Sequence, residues 1–146
     1  MNILKSIGAV IAGLVAIFVL SYATDAVLEA AGILQTEAPL PMYGSELLIT
    51  AILVYRLVYS VAGCYVAATL APNYPMRHAF ALGVLGLVFS IGGALVAAQQ
   101  SLGPAWYTWG LVVFTLPCAW LGGKLQARLS MTSKTILVET HKIIGD

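Results

Sequence analysis

Four stretches of this chain stay apolar for about twenty residues each, which is the length a helix needs to cross a bilayer. They cover 7–31, 47–70, 79–98 and 105–123. Membrane strands would alternate apolar and polar residues, and these runs do not. Each run therefore predicts a helix. The joints between them carry the residues that stop helices: Pro39 and Pro41, then Pro72 and Pro75, then Gly103 and Pro104. The expectation is an all-α membrane protein, a four-transmembrane-helix bundle formed by residues 1–125. Residues 126–146 follow as a polar tail.

Composition narrows the class further. Of 146 residues 60% are hydrophobic and 9% charged, against about 25% charged in ordinary soluble domains. Mean hydropathy is +0.93. These values exclude a disordered chain, a collagen, a disulfide-rich secreted scaffold and an ordinary soluble enzyme. A net charge of +1 gives no field to gather nucleic acid. Cys64 and Cys118 both lie in apolar runs, without a Cys-x-x-Cys pair or a Cys/His cluster. No metal, cofactor or disulfide framework is expected.

The cations are distributed unevenly. Lys5 precedes the first span, Arg77 lies between the second and third, and Lys124, Arg128, Lys134 and Lys142 follow the fourth. The segments 32–46 and 99–104 hold none. The positive-inside rule then makes both termini cytoplasmic in a multi-pass membrane protein. Trp106, Tyr107 and Trp109 fall at the outer end of the fourth span, as an interfacial aromatic belt would. A second reading of the start exists: Lys5, the run 7–20 and Ser21-Tyr22-Ala23 have the layout of a signal peptide. The continuation of the run to Ala31 favours a retained helix.

Arg56 is the one cation inside a span. It lies nine positions past Leu47, roughly 13 Å along the helix, near the midplane. An arginine at that depth is costly unless it faces the bundle and finds an anion. Asp25 and Glu29 stand four apart on one face of the first span. Through a short outer loop, Asp25 approaches the depth of Arg56, which predicts a guanidinium–carboxylate fork. Tyr22, three residues before Asp25, is positioned to donate a further hydrogen bond. Tyr22, Asp25, Glu29 and Arg56 are the candidate intramembrane site.

The third span carries small residues at regular spacing: Ala79, Gly83, Gly86, Ser90, Gly93 and Ala97. Arg56, Ser60, Gly63 and Ala67 repeat the idea in the second span, and Ala9, Gly13, Ala16 and Ala23 in the first. Small faces let helix backbones approach where lipid offers no hydrophobic drive. Gly83, Gly86, Ser90 and Gly93 are the expected helix-packing positions. A subunit interface in a homo-oligomer is the sharper alternative.

The remaining features are less specific. His78 reads as an interfacial anchor beside Arg77. Pro117 predicts a kink in the fourth span. Ile136, Leu137, Ile143 and Ile144 make the tail either a short amphipathic segment on the membrane surface or a flexible extension. No phosphate loop, G-x-S-x-G, H-E-x-x-H or dinucleotide fingerprint occurs, and no histidine accompanies Ser60 or Ser90. Catalytic residues are therefore not expected.

Thr24-Asp25, Tyr55-Arg56, Ala71-Pro72 with Pro75-Met76-Arg77-His78-Ala79, Gly103-Pro104-Ala105-Trp106-Tyr107 and Pro117-Cys118-Ala119-Trp120-Leu121-Gly122-Gly123 resemble a family of small, uncharacterised bacterial four-helix inner-membrane proteins. The resemblance covers residues 7–125 and implies bacterial origin, four spans and a multi-pass location in the bacterial inner membrane. It adds no substrate. Small multidrug exporters differ, since they place a Glu centrally in the first span, whereas Asp25 is off-centre.

Two functions remain. The first is a structural or accessory bundle held by a buried Asp–Arg pair, with the lipid bilayer as its partner. The second is a transporter or channel for a small solute, an ion or a proton-coupled substrate, using Asp25, Glu29 and Arg56. The sequence does not specify that ligand.

Overall fold

Surrounded by hydrocarbon, a backbone must satisfy its own polar groups, and a helix does so locally. The computed structural model is all-helical accordingly. It describes residues 2–33, 46–71, 73–99 and 104–144. The helices are α1 (Asn2–Ala30), α2 (Glu46–Leu70), α3 (Pro75–Gln99) and α4 (Ala105–Ile144).

Their ends follow from local chemistry. At the end of α1, Gly32 takes φ +71°, a left-handed conformation that glycine adopts without a Cβ penalty. Its N–H donates to the Glu29 carbonyl at 2.9 Å, and the Ile33 N–H donates to the Leu28 carbonyl at 2.9 Å. This is a Schellman cap, which satisfies two carbonyls the helix would otherwise orphan. Pro75 opens α3 at its first position, where a missing N–H costs nothing. Pro104 lies just ahead of α4, and its carbonyl accepts the Tyr107 N–H at 3.1 Å.

Three helices are long and apolar enough to cross a membrane: α1 over Leu4–Ala30, α2 over Glu46–Leu70 and α3 over Pro75–Gln99. The expectation of four spans is met in part. The apolar stretch of α4 is diluted by Trp106, Tyr107, Thr108, Trp109 and Pro117, and by length and composition together it does not qualify.

Nor does α4 stop at Gly123. It runs through Pro117 and on to Ile144, 40 residues in one element, about 60 Å at 1.5 Å per residue. Residues 126–144 thus prolong the fourth helix instead of forming a separate tail. No glycine or proline falls between Lys124 and Ile144 to end it. Residues 131–140 are all exposed.

The helices run up, down, up and down. α2 packs against all three others, α3 packs closely on α4, and α1 meets α3 sparsely and α4 not at all. Lys5, Arg77 and Lys124 mark one end of the bundle, called the basic end below. Glu29 and Glu46 lie toward the other.

Small residues set the closest approaches. A Cβ on Gly13 would stand 2.6 Å from the Gly63 carbonyl oxygen and 2.7 Å from Leu82 Cδ2. A Cβ on Gly122 would meet Cys64 Cβ and the Val61 carbonyl oxygen, each at 2.7 Å. These distances lie inside van der Waals contact, so glycine is what brings α1 and α4 onto opposite sides of α2.

The core has two parts. Cys64, Ala67, Ala68, Ala79, Leu82 and Ala119 form one toward the basic end, with Val10, Leu14 and Ile17 packed against it. Ile49, Ile52 and Tyr107 form the other, with Leu28, Tyr55 and Leu111 around it.

Candidate functional site

Between the two apolar clusters, α1 turns a polar segment toward α2. Leu28 packs on one cluster and Ile17 on the other, which holds Thr24 and Asp25 at a defined height. Arg56 donates from Nη2 to Asp25 Oδ2 at 2.8 Å. The other carboxylate oxygen, Oδ1, accepts the hydroxyl of Tyr55. The expected two-pronged fork is therefore a single N–H contact, because Tyr55 occupies the position the second prong would take. Adjacent residues on a helix point about 100° apart. A carboxylate at the seam of two helices is thus reached by both Tyr55 and Arg56.

A second link lies beside the first. Thr24 Oγ1 donates to the Leu20 carbonyl at 2.9 Å, so the 2.8 Å contact with Tyr59 Oη has tyrosine as its donor. The Tyr55 and Tyr59 rings are tilted against each other, with centroids 5.6 Å apart.

The pair is not enclosed. The Arg56 side chain keeps 34% of its surface exposed and Asp25 keeps 28%, and no charged residue among those described is fully buried. The expectation of a buried pair is corrected on this point. Asp25 and Arg56 line a cavity of about 550 Å3 to which all four helices contribute. α1 supplies Phe18, Ser21 and Tyr22, α3 supplies Phe89, Ser90 and Gly93, and Tyr107, Thr108 and Thr115 come from α4. α1 and α3, which both line it, meet sparsely. Within the Arg56 guanidinium, Nε is buried and has no hydrogen-bond partner among the described residues.

The other sequence-selected residues fall in different places. Tyr22 is 78% exposed and lines the cavity; it is Tyr55 that donates to Asp25. Glu29 is exposed and does not line the cavity. Gly83, Gly86, Ser90 and Gly93 of the small stripe on α3 all line the cavity but differ in how closely α4 approaches them. A Cβ on Gly83 would meet Ala119 Cβ at 2.5 Å, and one on Gly86 would meet Thr115 Cγ2 at 3.4 Å. Ser90 Oγ lies 3.4 Å from Thr115 Oγ1, a contact at the long limit for a hydrogen bond. Gly93 has nothing within 4 Å of its would-be Cβ and is the open part of this wall.

Tyr55, Tyr59, Thr24 and Tyr107 were not assigned to the site from the sequence; Tyr107, expected in an interfacial belt, is 4% exposed and lines the cavity. The first two were findable. Tyr55 adjoins Arg56, and Tyr59 lies one turn further along the same face.

Four helices, three of them able to cross a bilayer, and a half-open ionic pair at a cavity define a helical membrane-type bundle with an internal polar site. No protein-family model, curated protein or solved structure matches the chain. No group of three or more potential metal ligands occurs among the described residues.

Proposed function

We propose that the protein is a multi-pass membrane protein that takes a small solute into the cleft between α1 and α3, with Asp25 and Arg56 as the recognition pair. One observation carries this reading: the intramembrane ion pair forms cavity wall, with about a third of each side chain exposed. A pair serving cohesion alone has no need of a space beside it, and hydrocarbon penalises leaving one open. The surplus N–H donors of Arg56 suit a solute with a carboxylate or another strong acceptor. Phe18, Leu82 and Phe89 suit an apolar body. Glu29 is outside this site and is given no role in it.

The arrangement proposed in the membrane places the first half of α4 across the bilayer as a fourth span and the basic end in the cytoplasm, by the cation bias. The resemblance to small bacterial inner-membrane proteins supports a bacterial inner membrane as the location.

Uptake into proteoliposomes tests the solute reading. A panel of small carboxylates and amino acids should include at least one whose entry is lost with Asp25→Asn and with Arg56→Gln. No uptake by the wild-type chain, or uptake unchanged in both variants, rejects it.

A structural or accessory role is the second reading, favoured by a separate observation. Thr24 and Asp25 are bonded to Tyr59, Tyr55 and Arg56, so the same polar segment fastens α1 to α2. Homo-oligomerisation belongs with this reading.

A further inference from the structure

A second groove lies at the basic end, on the seam of α1 and α3. Its volume is about 640 Å3. Its two ends differ in chemistry. Ser6, Asn73, Arg77 and His78 supply polar groups, and Ile7, Ile11 and Leu85 supply an apolar wall. No acidic residue lines it. The single salt bridge among the described residues is that of Arg56 with Asp25, so no described carboxylate neutralises Arg77. Glu139, on the extension of α4, lies 16 residues beyond Gly123, roughly 24 Å along the helix.

The polar end is held in place. Tyr74 adopts φ +51°, a left-handed conformation that is strained for a bulky residue. Its carbonyl accepts the Arg77 N–H at 2.9 Å and lies 3.2 Å from His78 Nδ1. Its ring lies 5.5 Å from the Arg77 guanidinium carbon, which steadies the side chain by a cation–π contact. With Nδ1 donating to a carbonyl, Nε2 of the neutral His78 ring is an acceptor, so Arg77 is the donor left to meet an anion.

From this geometry we infer that the groove binds an anionic phospholipid. The phosphate meets Arg77, with Ser6 and Asn73 available as further donors. The acyl chain lies along Ile7, Ile11 and Leu85. A soluble anion would use Arg77 but would leave the apolar wall in water. A zwitterionic lipid would bring a cationic group to a site with no acid to receive it. Basic pockets beside transmembrane helices at the cytoplasmic side recognise anionic headgroups by this division of labour. The inference rests on the membrane reading of the chain and is independent of the solute cleft.

The test uses the purified full chain in detergent, titrated with phosphatidylglycerol, phosphatidylcholine or free glycerol phosphate. Retained lipid is read by native mass spectrometry, so the result does not depend on solute uptake. Phosphatidylglycerol should be retained in preference to the other two. Arg77→Gln should weaken it about fivefold or more, and Arg77→Lys should keep most of it. Ala81→Trp, which fills the groove while leaving Arg77, should weaken it as well. Lys5→Gln, a cation at the same end that does not line the groove, should change little. The thermal midpoint of each variant checks that it is folded. Equal retention of the two lipids overturns the inference, as does tight binding of glycerol phosphate alone. So does an effect of Lys5→Gln as large as that of Arg77→Gln, or wild-type retention by both groove variants.

Discussion

Asp25 and Arg56 meet through one 2.8 Å hydrogen bond on the wall of a cavity, and not within a closed core. Each carboxylate oxygen has a different donor from α2, Tyr55 for Oδ1 and Arg56 for Oδ2. The pair is therefore a cross-link between two helices and a surface that a ligand in the cleft can reach.

Removing one charge should cost more than removing both. Arg56→Leu leaves a carboxylate facing low dielectric with one donor lost, a loss on the order of 2–4 kcal/mol for such a pair. Adding Asp25→Leu removes the stranded charge and should recover most of it. Folding yield and thermal midpoint in detergent measure both. A double variant no better than the single would show that the charges are not coupled as their geometry requires.

The two tyrosines near Asp25 should respond differently. Tyr55→Phe removes a hydrogen bond to a charged acceptor, worth about 1.5–3 kcal/mol. Tyr22→Phe removes a hydroxyl from a side chain that is 78% exposed and should shift the midpoint little. Equal effects would contradict the contact with Asp25.

Glycine positions separate packing from cavity wall. Gly13→Ala puts a methyl 2.6 Å from a backbone oxygen of α2, which α1 can relieve only by moving away. Overpacking of this kind costs about 1–3 kcal/mol. Gly93→Ala meets nothing within 4 Å and should leave the thermal midpoint unchanged or raised.

Thiol labelling maps the cleft. In a chain with Cys64 and Cys118 replaced by serine, Gly93→Cys should react with a polar maleimide. Gly83→Cys, packed against Ala119, should react about tenfold more slowly or not at all, since reactivity follows access. Similar rates at the two positions would mean that Gly83 is not held against Ala119 as the structure has it.

Truncation after Leu129 should leave the bundle standing. Residues 131–140 are exposed throughout, so their removal takes away no core contact, and the midpoint should move by less than about 0.5 kcal/mol equivalent. A large loss would reveal a partner for the extension of α4.

The amino-acid sequence by itself determined the helices and roughly where they begin and end. Apolar runs of bilayer length, proline and glycine at the joints and a lone arginine among hydrocarbon side chains are local facts with local consequences. They also named Asp25 as the mate of Arg56, because α1 and α2 are antiparallel neighbours and depth can be counted in residues. Tertiary structure alone decided the rest. That Tyr55 and not Tyr22 serves Asp25 depends on the rotation of α1 about its axis, which no periodicity in an all-round apolar helix specifies. That Gly83 packs on Ala119 while Gly93, on the same cavity wall, meets nothing depends on how α3 lies against α4, a matter of packing among the helices. The continuation of α4 past Gly123 lay between these cases, since helix-favouring residues permitted it and no local signal required it. A hydrophobic pattern says what must avoid water, and the azimuth and spacing of the helices then settle which polar groups meet and where space remains between them.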